Sequence, residues 1–317
     1  MEARLQDGRA LNVARPMSIQ TYNEPQPSIL QIKMGCFQVT SMLDSRIVRA
    51  GLTPTHGGEA MAQDVQQLAR ANRIDPNRYE HPFIPVMVHT GKELILFDTG
   101  NGALATEREL LRGRVPDGHL VERMGQAGYR PEDVAIVVIT HGHPDHIGGL
   151  MRSGKPAFPN ARYVFGAAEF DFWRRGEVRE FRKFNRELFM QVAAPLADRA
   201  SFIKPGDEVV SGIRAVDAAG HSPGMMAYLI ESDGKRILIW ADTCIHYAIS
   251  LQRPDLEVDV DDDKEKAAGT RKRLLDMSVA EELFVIGYHM PFPGLGFVER
   301  AGAGYRWVPH SYQLNLQ

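Results

Sequence analysis

Thr140-His141-Gly142-His143-Pro144-Asp145-His146 directly follows the apolar run Val134-Ala135-Ile136-Val137-Val138-Ile139. That run reads as a buried strand. The segment after it holds three of the chain's eleven histidines and one carboxylate within six residues. A strand that ends in packed nitrogen and oxygen donors can deliver ligands to a metal. Imidazole and carboxylate suit zinc, manganese, cobalt or ferrous iron, and no thiolate is needed. Other strand ends should supply the remaining ligands. His221 lies in the turn Asp217-Ala218-Ala219-Gly220-His221-Ser222-Pro223-Gly224, Asp242 follows Ile237-Leu238-Ile239-Trp240, and His289 follows Phe284-Val285-Ile286-Gly287-Tyr288. One imidazole after a strand is commonly a satisfied polar residue. Three such positions beside the cluster point to a shared site.

The surrounding pattern is two rounds of strands closed by helices. Ile29–Met34 and Phe37–Leu43 read as a strand pair around Gly35, and Ile84–His89 with Glu93–Phe97 as a second. Segments 103–113 and 118–129 read as helices, and Arg162–Phe165 as a short strand. Lys183–Arg199 carries Phe184, Leu188, Val192 and Leu196 at helical spacing. Strands are expected at Glu208–Val216, Met226–Glu231 and Arg236–Trp240. A charged helix over Asp261–Glu281 and a final buried strand at Leu283–Gly287 follow. The acidic run Asp259–Asp263 reads as a solvated helix start, where carboxylates meet the positive end of the dipole, with a calcium site as the minor alternative. Strand-rich halves closed by helices imply a layered α/β sandwich over residues 29–317, preceded by a polar arm at 1–28.

Composition excludes several classes. The chain has 317 residues, 44% of them apolar, and a net charge of −3 with both signs mixed along its length. No basic block points to nucleic acid, and no apolar run approaches the ~20 residues of a membrane span. The first 28 residues lack the apolar segment of a secretory signal, which favours a cytoplasmic chain, although a processed secreted form fits too. Cys36 and Cys244 make no disulfide framework and read as two reduced thiols.

Asp98-Thr99-Gly100, His141-x-His143-x-Asp145-His146, His221, Asp242 and His289, in that order, resemble the metallo-β-lactamase superfamily. The resemblance implies a four-layer αββα sandwich with two divalent metals, zinc first, at one edge of paired sheets. His141, His143 and His221 would hold one metal; Asp145, His146 and His289 the other; Asp242 would bridge them. Asp98 would support the ligand loops from behind, as outer-shell groups orient imidazoles. A true β-lactamase often has Cys where Asp242 stands, and Cys244 is no substitute; it reads as a small apolar filler. Ile32-Lys33-Met34-Gly35, Ile239 to His246, His289 to Gly296 and Gly304 to Pro309 are similar to the methyl parathion hydrolase and quorum-quenching lactonase group. Members of that group are often homodimers.

The resemblance implies a hydroxide held between two cations that attacks a carbonyl or phosphorus. Asp145 and Asp242 are the carboxylates at the reacting centre, and Asp145 could also take or give a proton. The substrate is a small molecule: an acyl-homoserine or aromatic lactone or an ester, with organophosphate triesters as a side or main reaction. A glyoxalase II-like thioesterase and a metal-stabilised scaffold without turnover are the alternatives. The thioesterase would need a basic pocket, which the sequence does not locate. Trp173, Phe292, Met225 and Leu295 are the expected pocket walls, with Phe170, Phe172 and Phe184 as further candidates. His246 is expected beside the ligands or in the pocket. His56, His81, His89, His119 and His310 read as structural or exposed.

Overall fold

The computed structural model describes residues 27–107, 116–310 and 315–316. The arm expected at 1–28 falls almost wholly outside the described residues, as does the second half of the helix expected at 103–113. Two mixed sheets dominate. The first runs in the order Ala200–Ile203, Arg162–Gly166, Ile136–Ile139, Leu94–Phe97, Val86–His89, Phe37–Met42, Ile29–Met34 and Asn315–Leu316. The second runs Glu208–Val210, Ile213–Asp217, Met226–Ser232, Lys235–Ile239, Phe284–Ile286, Leu295–Ala301 and Gly304–Pro309.

Strand parity makes the layers. In Leu94-Ile95-Leu96-Phe97, Ile95 and Phe97 join Val138, Tyr228, Ile237 and Ile286 in the core between the sheets. Leu94 and Leu96 point the other way and pack with Leu120, Met124, Phe170 and Leu188 on the helical layer. The second sheet repeats this. Leu229, Leu238 and Val285 face outward onto Leu251, Leu274 and Leu275. The result is the expected four-layer αββα sandwich, and it explains why the central strands are apolar at every position. A smaller cluster of Leu52, Val65, Ala69, Tyr79, Ile249 and Leu256 lies beside it, built by the helix Ala62–Ala71 and the antiparallel strands Ser45–Arg49 and Tyr79–Phe83.

Several expected elements shift for local reasons. The α-helix expected to run to Arg199 stops at Val192 and continues as a 3-10 segment over Ala194–Arg199. Pro195 lacks an N–H and disfavours helical backbone in the residue before it. The strand expected over 208–216 is a hairpin, because Gly212 at φ +83 turns the chain between Glu208–Val210 and Ile213–Asp217. The charged helix begins at Lys264, where the Asp263 side chain accepts from the Lys266 N–H at 3.0 Å. Phe284–Ile286 is not the last strand. The hairpin Leu295–Ala301 and Gly304–Pro309 extends the sheet, hidden in the sequence by its edge charges Glu299, Arg300 and Arg306. No helix among the described residues is long and apolar enough to cross a membrane.

Register brings the ligand loops to one edge. Leu94–Phe97 and Ile136–Ile139 are parallel, with Phe97 opposite Val138, so Asp98 and Thr140 leave the first sheet together. Lys235–Ile239 and Phe284–Ile286 are parallel, with Ile239 opposite Ile286, so the segments to Asp242 and His289 leave the second sheet together. The Met226 N–H donates to the Thr140 carbonyl at 3.1 Å and ties the sheets at that end. Ile95→Ala should cost about 3 kcal/mol in urea unfolding, since it empties a fully buried site between the sheets. A cost below about 1 kcal/mol would mean the sheets do not pack there.

Candidate metal centre

Seven side chains converge at that edge. His141, His143, His221 and Asp242 form one group of ligand atoms, and Asp145, His146, Asp242 and His289 a second, all within 4.8 Å of one another inside each group. Asp242 belongs to both. In the first group His143 Nδ1 lies 2.9 Å from His141 Nε2 and 3.0 Å from His221 Nε2, and Asp242 Oδ2 is 3.2 Å from His221 Nε2. In the second, Asp242 Oδ1 is 3.2 Å from His146 Nε2, Asp242 Oδ2 is 3.0 Å from His289 Nε2, and Asp145 Oδ2 is 3.5 Å from both rings. A tetrahedral ion about 2.1 Å from each donor sets the donors about 3.4 Å apart. The observed spacings fit such an ion in each group.

Hydrogen bonds on the far side of the rings decide which nitrogen faces inward. Asp98, buried at φ +60, accepts from the Thr140 N–H, the Thr140 hydroxyl and His146 Nδ1–H, each at 2.8 Å. With its own proton given to Asp98, the Thr140 hydroxyl oxygen accepts from His141 Nδ1–H at 3.1 Å. His221 Nδ1–H donates to Asp261 at 2.8 Å, and His289 Nδ1–H to the Pro82 carbonyl at 2.8 Å. With Nδ1 so engaged, all four rings would offer Nε2 to a cation, whereas His143 would offer Nδ1. His146 Nε2 and Asp242 Oδ1 are buried without a hydrogen-bond partner. Orphaned buried polar atoms are costly, and a cation would satisfy both.

The sequence reading missed four supporting groups. Glu169, buried on the helix Ala167–Arg175, accepts from the Gly142 N–H at 2.8 Å, Trp173 Nε1–H at 2.6 Å, the Ser222 hydroxyl at 2.6 Å and the Gly224 N–H at 2.9 Å. It clamps the His141–His143 loop to the His221 loop. Its only sequence signal is a carboxylate on the apolar face of Phe170 and Trp173. Asp261 is buried between His221 and Arg271, whose Nη2 donates to it at 3.0 Å. The acidic run is thus only partly a solvated helix start. Tyr288 stacks on His146 at 3.9 Å and donates to the Asp145 carbonyl at 2.5 Å. Buried Asp44 accepts from the N–H groups of Asn101 and Leu120 and pins the turn after Asp98.

Three expected pocket walls lie elsewhere. Met225 packs with Ala218, Trp240 and Leu274 in the outer core, because its side chain points toward the helices. Leu295 sits between the sheets opposite Ile286. Trp173 is fully buried behind the ligand loop, its ring 5.9 Å from that of His143 and held by Glu169. Phe170 belongs to the same helical core, and Phe172 and Phe184 are half-buried. Phe292 and His246 do line a cavity of about 370 Å³ that also contacts His289. His246 Nδ1 accepts from the N–H groups of Ala248 and Ile249, so its ring is oriented by its own loop. Of the histidines expected to be structural or exposed, His56 and His81 are buried, and His81 stacks on His289 at 3.8 Å. His89, His119 and His310 are half-exposed. Cys244 is buried in the outer core, which pushes its thiol up to about 12, and Cys36 is exposed; both are free.

The charge balance is that of a site built around cations. Burial pulls His141 and His143 toward neutrality, and both fall well below the usual histidine range. At His221, burial is outweighed by hydrogen bonds to Asp242 and Asp261, and its pKa rises to about 9. At His146, burial is outweighed by Asp242, Asp145 and Asp98. Asp242 is held well below the carboxylate range: His289 and His146 overcome its burial.

Comparison with known proteins follows this geometry. A model of the Metallo-beta-lactamase superfamily matches residues 85–285. The chain is 26% identical over 217 residues to an N-acyl homoserine lactonase of Bacillus cereus, covering 64% of this chain and 79% of the relative. Among solved structures, AidC, a dizinc quorum-quenching lactonase in complex with its N-hexanoyl-homoserine product, superposes with a TM-score of 0.80. It is 26% identical and covers 90% of this chain and 98% of its own. The hydrolase AbOPH of the beta lactamase superfamily superposes with a TM-score of 0.81 at 24% identity, covering 92% and 100%, a likeness of fold alone.

Two outcomes are expected. Replacing Glu169 by Gln puts an N–H₂ group among four donors and should lower metal affinity about 10- to 100-fold, read as metal content after dialysis against a chelator series. Unchanged affinity would reduce the clamp to packing. The metal-free protein should be most stable near pH 6.5 in thermal unfolding, losing stability below that value and again between it and about pH 9. His141 and His143, lowered on folding, withdraw stability as pH falls below the unfolded value of 6.5. His221, raised, contributes fully below 6.5 and loses that contribution as pH rises through about 9. A flat profile across this window would contradict the charge assignment.

Proposed function

Because the chain belongs to the metallo-β-lactamase superfamily, we propose that the convergent histidines and aspartates are the two-metal centre of a lactonase. The carrying observation is Asp242, whose two oxygens face both ligand groups at 3.0–3.2 Å. His141, His143 and His221 hold one divalent cation, Asp145, His146 and His289 the other, and zinc fits the donors best. Such cations, when bound, supply a water acidified to near neutrality and a Lewis acid for the scissile carbonyl. The relatives' names support lactones as the substrate class, acyl-homoserine lactones first.

The chain's own residues do the remaining work. Asp98, Thr140, Asp261 and the Pro82 carbonyl hold four rings in the metal-binding tautomer. Glu169 keeps two ligand loops at a fixed separation. Asp145 is the most open of the seven ligand residues, its side chain 22% exposed, and burial fails to offset His146 and His289, which keep it ionised. Its free oxygen can accept a proton during ring opening and return it to the leaving alkoxide. The cavity beside His289 receives the substrate, with Phe292 as an apolar wall. No serine or cysteine nucleophile is required. Organophosphate triester cleavage is a second reaction of the same centre, because both transition states place negative charge on oxygen. A homodimer is the expected assembly, and a monomeric mass in light scattering would remove it.

Metal analysis should give two ions per chain. kcat/KM should favour an acyl-homoserine lactone or an aromatic δ-lactone over a dimethyl aryl phosphotriester, and Asp242→Ala should lose at least about a thousandfold. A preference for the phosphotriester would make the chain a phosphotriesterase. No turnover of any of the three with two metals bound would sink the substrate class.

A further inference from the structure

The cavity beside His289 has an unusual mouth. Its lining includes His289 of the metal centre with His246 and Phe292, and its solvent-facing residues include Arg46, Arg73 and Arg78 against the single carboxylate of Glu80. Arg46 is engaged by Glu80. Arg73 and Arg78 are exposed and have no carboxylate partner among the described residues. The rim is therefore net +2 on a chain whose net charge is −3. Arg73 also sits at φ +61, just past the helix Ala62–Ala71, where glycine is the residue without strain. Tyr79 lines the same cavity, and its hydroxyl is buried without a hydrogen-bond partner.

The origin of these residues separates them from the hydrolytic machinery. The three arginines, Tyr79 and Phe292 all lie outside residues 85–285, the part that matches the superfamily model. Arg46 comes from the strand Ser45–Arg49, and Arg73 and Arg78 from the loop between the helix Ala62–Ala71 and the strand Tyr79–Phe83. This segment packs over the metal edge through His81 on His289 and the Pro82 carbonyl on His289 Nδ1. A volume of about 370 Å³ is near the lower end of small-molecule pockets, which span ~300–1,000 Å³. A compact ligand would thus touch the metal wall and the arginine rim at once.

Resting on the lactonase reading of the centre, we infer that the preferred substrate is a lactone or ester whose short apolar acyl portion ends in an oxyanion, a carboxylate or a phosphate. The scissile carbonyl lies at the metal wall, the apolar portion on Phe292, and the oxyanion between Arg73 and Arg78. A guanidinium fork matches either oxyanion in bidentate geometry, and exposed cations also speed the approach of an anion at low salt. Substrates with a neutral tail of equal length leave both guanidiniums to water and gain nothing from them.

The test uses the full metal-loaded chain and two readouts. The first is kcat/KM at low salt for three N-acyl homoserine lactones of equal chain length, ending in methyl, carboxylate or phosphate. At least one charged form should exceed the methyl form about tenfold. That ratio should shrink with added salt and fall to about one in Arg73→Gln/Arg78→Gln, both positions being exposed. The second readout is calorimetric binding of suberate against octanoate, which needs no turnover. Suberate should bind about tenfold tighter, and the double variant should erase the difference. Equal affinities together with lactone turnover at a ratio near one would overturn the inference and leave the lactonase reading standing. Suberate selectivity without turnover of any lactone would keep the oxyanion site and overturn the lactonase reading.

Discussion

Five imidazoles and two carboxylates share one buried cavity with donor atoms about 3 Å apart. Neutral rings facing one another across such distances satisfy each other only in part: a single His143 Nδ1–H would have to serve both His141 Nε2 and His221 Nε2, and His143 Nε2 and His146 Nε2 are buried without a partner. Protonation answers only part of the problem: His146 and His221 take protons, while burial strips them from His141 and His143. Cations relieve every one of these conflicts at once. The rest of the molecule can be understood as the framework that holds this otherwise unfavourable arrangement together.

That framework works at two removes. Parallel pairing in each sheet sends two segments of the site out at the same edge, and the Met226–Thr140 hydrogen bond closes the edges on each other. Buried carboxylates then fix what strand geometry leaves loose. Asp98 orients His146 directly and His141 through Thr140, Asp261 orients His221 and is itself neutralised by Arg271, and Glu169 joins two loops that come from different sheets. Glycines in these loops have little freedom to change. A Cβ on Gly142 would meet the Trp173 ring at 2.4 Å, and one on Gly100 would meet the Asp44 carboxyl at 2.4 Å. Packing therefore protects the same loops that the hydrogen bonds orient.

Chemistry and recognition come from different parts of the chain. Six of the seven ligand residues fall within the region shared with the superfamily, whereas the cavity rim comes mainly from residues 43–82 and 291–292. His289 stands at the boundary: its Nε2 belongs to the second candidate ligand group and its ring lines the cavity. A segment that both braces this imidazole and supplies the rim can change the substrate without disturbing the site that acts on it.

The seven candidate ligand positions that the structure brings together were legible in the sequence because each follows an apolar strand, and a strand end is a local feature. A layered sandwich was legible too, from strand-rich halves closed by helices, and its four layers followed from the family resemblance that the motifs carry. Helix ends at Pro195 and the turn at Gly212 were signalled locally, yet apolar periodicity masked them. Only the tertiary structure decided the rest. Glu169 and Asp261 act across 27 to 55 residues of chain, and no spacing rule links a carboxylate to an imidazole it meets through folding. Met225, Leu295 and Trp173 are apolar wherever they point, so whether they line a cavity or fill a core depends on strand parity and helix docking. The arginine rim is three ordinary surface residues in the sequence. They become one feature when the strands Ser45–Arg49 and Tyr79–Phe83 pair and pack against His289.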